Sequence, residues 1–190
     1  MLVGLISDVH GHMGAFEAAM ADLGRRADEI LLAGDSMYEY RFCNEIVEEV
    51  HRLGIRSILG NHEAVMLGKQ GERARSAPHV KPSNVERLAE VPWRIEADLG
   101  GTKLLMVHGS PFEPWDEYLN PRSPVLKRLP ELEADVVVVG HTHQAMEVRV
   151  DGKLLVNPGS LGESRDTDRR GSYALLDTDT LEVEFIRLEG

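Results

Sequence analysis

Short apolar runs alternate with helix-periodic stretches through the first third of the chain. Leu2–Ser7 is the first run and leads into a helical pattern from Met13 to Leu23. Ile30–Ala33 is the second, and Arg41–Arg52 follows it as a helix marked by Glu45, Ile46, Glu49 and Val50. Ile55–Leu59 is the third. This alternation predicts βαβ units and a largely parallel sheet. Such sheets gather their ligands outside the carboxyl ends of the strands.

Past residue 90 the pattern changes to paired strands. Trp93–Leu99 and Lys103–His108 flank Gly100-Gly101 and read as a hairpin. Asp135–Val139 is a continuous valine-rich run, the pattern of a fully buried strand. Ala145–Val150 and Lys153–Val156 flank Asp151-Gly152, a strong turn signal. Tyr173–Leu176 and Leu181–Leu188 form a third pair around Asp177–Thr180. Neither a repeat nor a linker interrupts the 190 residues, so a single domain over 1–190 is expected.

The polar residues that follow these runs change the picture. Asp8 and His10 stand in SDVHGH, Asp35 in AGDS, and Asn61 and His62 in GNHE. His108 stands in VHGS, and His141 and His143 in GHTH. D-x-H alone arises by chance in many chains. Five fragments in this order, almost all beside a glycine and after an apolar run, describe one site assembled from several strand ends. Neutral imidazoles and carboxylates suit first-row divalent metals such as Mn, Fe, Zn, Co or Ni. Two such ions about 3.5–4 Å apart can stabilise both the entering and the leaving oxygens of an in-line displacement. Ions that close need a bridge, and Asp35, the acid between the two halves of the set, is the natural one. Asp8 and His10 lie two positions apart, as do His141 and His143. Each pair shares a face if strand geometry persists past its run.

The pattern is similar to that of the calcineurin-like metallophosphoesterases, whose signature runs D-x-H, G-D, G-N-H, H and G-H-x-H. Asp8-Val9-His10, Gly34-Asp35, Gly60-Asn61-His62, His108 and Gly140-His141-Thr142-His143 match it element by element. HGSP followed by DEYL at Asp116–Leu119, and NPGS at Asn157–Ser160, resemble the small, uncapped bacterial phosphodiesterase-like branch. The resemblance spans nearly the whole chain. It implies an α/β fold, a four-layer α/β/β/α sandwich of two mixed sheets flanked by helices. It implies one metal held by Asp8, His10, Asp35 and His143, and a second held by Asp35, Asn61, His108 and His141. Two divalent transition-metal ions are the expected cofactors, Mn first, with Fe, Zn, Ni or Co open. It further implies in-line attack on phosphorus by a metal-bridging hydroxide, with Asp35 and Asn61 at the reacting centre. His62 is expected to assist the leaving oxygen, where negative charge grows. Glu63 either orients its neighbours from behind the ligands or faces solvent.

Several positions depart from the family pattern. His12 stands where many members carry Asn, and it either faces the cleft or caps the following helix. Ser36–Tyr40 replaces an acidic or glycine-containing loop, so its two tyrosines either stack on a substrate or pack. The Leu67–Asn84 segment reads as a solvated loop or as a wall of the substrate cleft. In Gly159–Arg170, Arg165 is the candidate phosphate contact, against a charged surface loop. Trp115, with Pro111, Phe112 and Pro114, reads as a packed corner behind the site. Cys43 reads as a small buried hydrophobe within the second helix. His51 lies on the polar side of the second helix and needs no functional account, and His79 has no companion at ligand spacing.

Charge and cysteine content narrow the function classes. The net charge of −11, from 21 basic and 32 acidic residues, argues against broad nucleic-acid binding. A single cysteine fits a reducing compartment, and MLVGLIS lacks the basic flank of a signal peptide. A cytoplasmic protein acting on a small phosphorylated substrate, without membrane attachment, is expected. Exposed strand edges leave room for a homo-oligomer. A phosphodiesterase is the leading expectation, with a phosphomonoesterase, a phosphoprotein phosphatase or a dinucleoside polyphosphate hydrolase as alternatives. A non-catalytic protein-binding scaffold, like a eukaryotic retromer subunit of similar fold, is the remote alternative.

Overall fold

The computed structural model describes residues 1–189. Among them, ten strands form two five-stranded sheets. In the first, β1 (Leu2–Ile6), β2 (Glu29–Leu32) and β3 (Arg56–Ser57) run parallel. On the other side of β1, β9 (Ser172–Asp177) and then β10 (Val183–Arg187) pair antiparallel. In the second sheet β5 (Thr102–Val107), β6 (Val136–Val138) and β8 (Lys153–Pro158) run parallel. The hairpin partners β4 (Arg94–Leu99) and β7 (Ala145–Val150) form its edges.

Alternation along the strands builds the layers. Val3 and Leu5 of β1 join Leu104, Met106, Val136 and Val138 in the core between the sheets. Ile6 points the other way, beneath α1 (Met13–Arg26), where Phe16, Ala19 and Leu23 are buried. Gly4 lets this helix lie close, since a Cβ there would sit 3.0 Å from a methyl of Leu23. The outer face of the second sheet carries Leu105, Val137 and Leu155. A 3₁₀ segment, Pro124–Glu131, covers it with Leu126 and Leu129. Pro130 denies that segment a backbone donor, which suits a short 3₁₀ cover better than an α-helix. The fold is thus two mixed sheets flanked by helical layers.

Two local expectations are corrected. The second helix, α2 (Asn44–Arg52), starts three residues late, and Cys43 is its half-buried N-cap in extended conformation. The 67–84 stretch is exposed at the surface along much of its length, as expected, but is largely helical rather than a loop. It forms a 3₁₀ turn, α4 (Glu72–Arg75) and the start of α5 (Pro82–Ala89), and Val80 is buried with Met37, Phe42 and Met66. Asn44 anchors it, donating to the carbonyl of His79 at 2.8 Å and accepting from the backbone N–H of Lys81 at 3.0 Å. No described helix is long and apolar enough to cross a membrane.

Candidate metal centre

Every candidate ligand lies just beyond a strand end, on the face of the molecule where the parallel strands finish. Asp8 and His10 follow β1, Asp35 follows β2, and Asn61 opens α3 (Asn61–Leu67) after β3. His108 follows β5, and His141 and His143 follow β6. The premise of persisting strand geometry does not hold, because β1 ends at Ile6 and β6 at Val138. Instead Asp8, His10, Asp35, His141 and His143 all adopt left-handed backbone, with φ between 49° and 68°. Such conformations cost of order 1–3 kcal/mol each and persist where surrounding structure fixes them.

The ligands fall into two clusters that share one aspartate. Ligand atoms of Asp8, His10, Asp35 and His143 lie within 4.8 Å of one another, as do those of Asp35, His108 and His141. Asn61 adds its Oδ1, 3.0 Å from Nε2 of His108. Two of the rings are oriented from behind. Nδ1–H of His108 donates to the Ala33 carbonyl at 2.7 Å, and Nδ1–H of His143 to the Glu163 carbonyl at 2.8 Å. His108 and His143 then each aim a bare Nε2 inward.

This arrangement fits a divalent cation. Nε2 of His108 faces Asp35 Oδ2 at 3.1 Å, so acceptor meets acceptor. Nε2 of His143 faces Nε2 of His10 at 3.1 Å and Asp8 Oδ1 at 3.2 Å. Asp8 Oδ1 is buried and has no hydrogen-bond partner among the described residues. Converging lone pairs of this kind need a proton or a metal between them. Without a metal, burial opposes the charged form of His108, yet the Asp35 carboxylate holds its pKa up to about 10. Burial likewise works against ionised Asp8, but with no metal present the imidazoles of His10 and His143 beside it, once protonated, and the charge of His108 keep its carboxyl far below the usual range. For His141, burial and then the charge of His108 push the imidazole down.

Residues outside the ligand set hold it in place. Glu63 is 1% exposed, which settles its role in favour of orientation. Its carboxylate accepts the backbone N–H groups of Gly60 at 2.8 Å, Asp35 at 3.0 Å and Ser36 at 2.6 Å. It thereby ties the Asp35 loop to the start of α3. Gly60 must be glycine, because a Cβ there would lie 2.1 Å from Asp35 Oδ1. The NPGS segment braces the other loops. Asn157 donates to the carbonyl of Gly140 at 2.7 Å, and the Ser160 hydroxyl to that of Asp8 at 2.7 Å.

His62 stands beside the shared aspartate, its Nε2 3.7 Å from Asp35 Oδ2. Its Nδ1 lies 2.5 Å from Oε2 of Glu39, so the carboxylate orients the ring. Glu39 carries no signature in the sequence, since the pairing depends on how the 36–40 loop folds back over α3. Tyr38 in the same loop packs against His10, ring centroids 5.0 Å apart, and donates its hydroxyl to Glu163. Burial, then that carboxylate, raises its pKa to about 12. On the opposite side a cavity of about 480 Å³ adjoins Asn61, His108 and His141. Trp115 lines it at 58% exposure, so the expected packed corner is only half present. Phe112 is buried, but the Trp115 carbonyl is pinned by the backbone N–H of Ser110 at 2.9 Å, and the indole turns outward.

Comparison with known proteins agrees with this geometry. Residues 1–181 match the calcineurin-like phosphoesterase superfamily domain. The chain belongs to that family. It is similar to a metallophosphoesterase from Sphaerobacter thermophilus, with a TM-score of 0.82 and 32% identity over 100% of this chain and 89% of that one. A probable metallophosphoesterase of Methanothermobacter thermautotrophicus is 29% identical over 98% of this chain and 92% of its own. A protein of Methanocaldococcus jannaschii named as a phosphodiesterase is 24% identical over 84% of this chain and 83% of its own.

This calcineurin-like phosphoesterase is therefore a metal-dependent phosphoric ester hydrolase. Its two expected substrate contacts are placed differently. His12 is the N-cap of α1 but makes no side-chain cap, and its ring lies against Gly162. Arg165 is exposed, held by its backbone N–H donating to the His143 carbonyl at 2.9 Å. The 67–84 segment contributes no lining residue to the cavity beside His108 and His141, because it packs on α2 and α3 instead.

Proposed function

We propose that this hydrolase is a phosphodiesterase that works with two divalent metal ions, Mn the first choice, on a small phosphorylated substrate in the cytoplasm. The observation that carries it is the pair of ligand clusters sharing Asp35. Asp8, His10, Asp35 and His143 would hold one ion, and Asp35, Asn61, His108 and His141 the other. When bound, the ions supply Lewis acidity at the phosphoryl oxygens and make water acidic enough to attack near neutral pH. The relative named as a phosphodiesterase supports the diester reading.

The protein's own residues complete the reaction. His62, held through Nδ1 by Glu39, presents Nε2 on the Asp35 side of the site, where it gives a proton to the departing ester oxygen. Glu63 fixes Asp35 and Asn61 relative to each other, so the phosphorus meets its attacking oxygen already aligned. The net charge of −11 would repel a phosphate, and a positive focus exists only where cations outweigh Asp8 and Asp35.

The test is hydrolysis of bis(4-nitrophenyl) phosphate beside 4-nitrophenyl phosphate by the manganese-loaded protein. Preference for the diester is the expected result. Preference for the monoester moves the assignment to a phosphomonoesterase, and silence on both with metal bound overturns the reading.

A further inference from the structure

Both tryptophans of the chain open onto one cavity. Trp93 precedes β4 and is 59% exposed; Trp115 lies in the loop after β5 and is 58% exposed. Single exposed aromatics are common, but two indoles on one concavity mark a binding surface. The volume of about 480 Å³ lies within the range of roughly 300–1,000 Å³ typical of small-molecule sites. Leu105, Val107 and Pro111 add apolar wall, and the charged lining groups, Arg94 and Asp116, oppose each other in sign. The cavity ends on Asn61, His108 and His141, the half of the metal centre described above. Tyr118 stacks on the His141 ring, centroids 4.0 Å apart, and is itself 56% exposed.

We propose that this cavity is a nucleobase site, so that the substrate is a nucleotide-type phosphodiester whose base stacks on Trp93 and Trp115. The inference rests on the phosphodiesterase reading. A phosphate held at Asn61, His108 and His141 has its ester substituent in the cavity, and indoles are stacking platforms for any base. A charged substituent would find no net countercharge there. His62 and His10 do not line the cavity, whereas Asn61 and His108 do. The base therefore belongs to the ester group that stays on phosphorus. Water gives a proton to solvent and adds to phosphorus, the bond to the other ester oxygen breaks, that oxygen takes the proton from His62, which solvent then returns, and a nucleoside monophosphate remains.

Two readouts test this. Thymidine 5′-(4-nitrophenyl) phosphate and methyl 4-nitrophenyl phosphate release the same phenolate and differ only in the group retained. Manganese-loaded protein is expected to favour the thymidine ester in kcat/KM. Trp115→Ala or Trp93→Ala should reduce that preference about tenfold, the loss for one stacked base, chiefly through KM. Trp115→Phe should restore most of it. Independently of turnover, adenosine 5′-monophosphate should quench tryptophan emission, while ribose 5-phosphate should not. Trp93→Phe and Trp115→Phe each leave one indole to report.

Equal quenching by the two phosphates, or a preference untouched by either alanine, overturns the base site even if both esters are hydrolysed. Hydrolysis of neither ester defeats the phosphodiesterase reading alone, and the quenching comparison still decides the cavity. A base-independent emission together with a lower sedimenting mass for Trp115→Ala would make the indoles a contact between copies of the chain, and would also overturn the proposal.

Discussion

Glu63 accepts the backbone N–H of Asp35 at 3.0 Å from 28 residues away, and its two oxygens receive further donors from Gly60 and Ser36. A carboxylate can accept from all of them; an amide cannot. Glu63→Gln places an NH₂ group against backbone donors, and the unmet bonds should cost about 1–3 kcal/mol of stability. Thermal unfolding should show the loss, and manganese affinity should fall with it, because the Asp35 loop is released from α3. Unchanged melting temperature and metal affinity would mean that Glu63 does not hold the loop.

His62 and Asp35 neighbour each other but are expected to fail differently. His62→Ala should lower kcat by roughly 10²–10⁴-fold, the usual worth of a general acid, while metal content stays near that of the unaltered protein. Asp35→Ala should lose metal, because the residue common to both clusters is gone. Elemental analysis beside kinetics separates the two. Equal metal loss in both variants would place His62 among the ligands.

Glu39 acts through His62, whose Nδ1 it meets at 2.5 Å. Glu39→Gln should reduce kcat about 10–100-fold, as loss of a ring-orienting partner does. The loss should be smaller with a leaving group that needs no proton, such as 4-nitrophenolate, than with an alkoxide. A uniform loss across leaving groups would reduce Glu39 to a structural role.

Away from the centre, the Tyr173 hydroxyl donates to Asp22 at 2.8 Å and Arg26 donates to the same oxygen at 3.1 Å. These bonds, the tyrosine's foremost, hold the Asp22 carboxyl below its ordinary pKa. A carboxylate favoured in the folded state stabilises above its unfolded pKa of about 3.9, and the contribution fades as pH falls through the folded value. Asp22→Asn should therefore melt lower than the unaltered protein at pH 7, and the gap should close below about pH 4. A pH-independent gap would assign the difference to packing of α1.

The order of the metal motifs made the centre legible in the sequence, since each ligand travels with its own strand end and glycine. The glycines explain themselves physically: at Gly60 a Cβ would strike Asp35, and at Gly140 it would lie 2.0 Å from the Ser7 hydroxyl. Strand pairs with clear turns, such as Arg94–Leu99 with Thr102–Val107, fell where alternation put them. Contacts made by tertiary folding were not legible. Nothing near Glu39 says that it will meet a histidine 23 positions on, and nothing in GNHE decides whether Glu63 is buried. The exposure of Trp115 at 58%, beside a buried Phe112, belongs to a loop closed by a backbone bond from Ser110, which no side-chain pattern reports. Likewise, spacing by two suggested strand geometry at Asp8 and His10, whereas left-handed backbone brings them together.

The most direct test of the central claim is a titration of metal-stripped protein with manganese, followed by hydrolysis of bis(4-nitrophenyl) phosphate. Activity should be absent at the start, rise with added metal, and level off near two equivalents per chain. Substantial turnover by the exhaustively stripped protein, or saturation at one equivalent with Asp35→Ala still fully active, would contradict a site built on two clusters joined through Asp35.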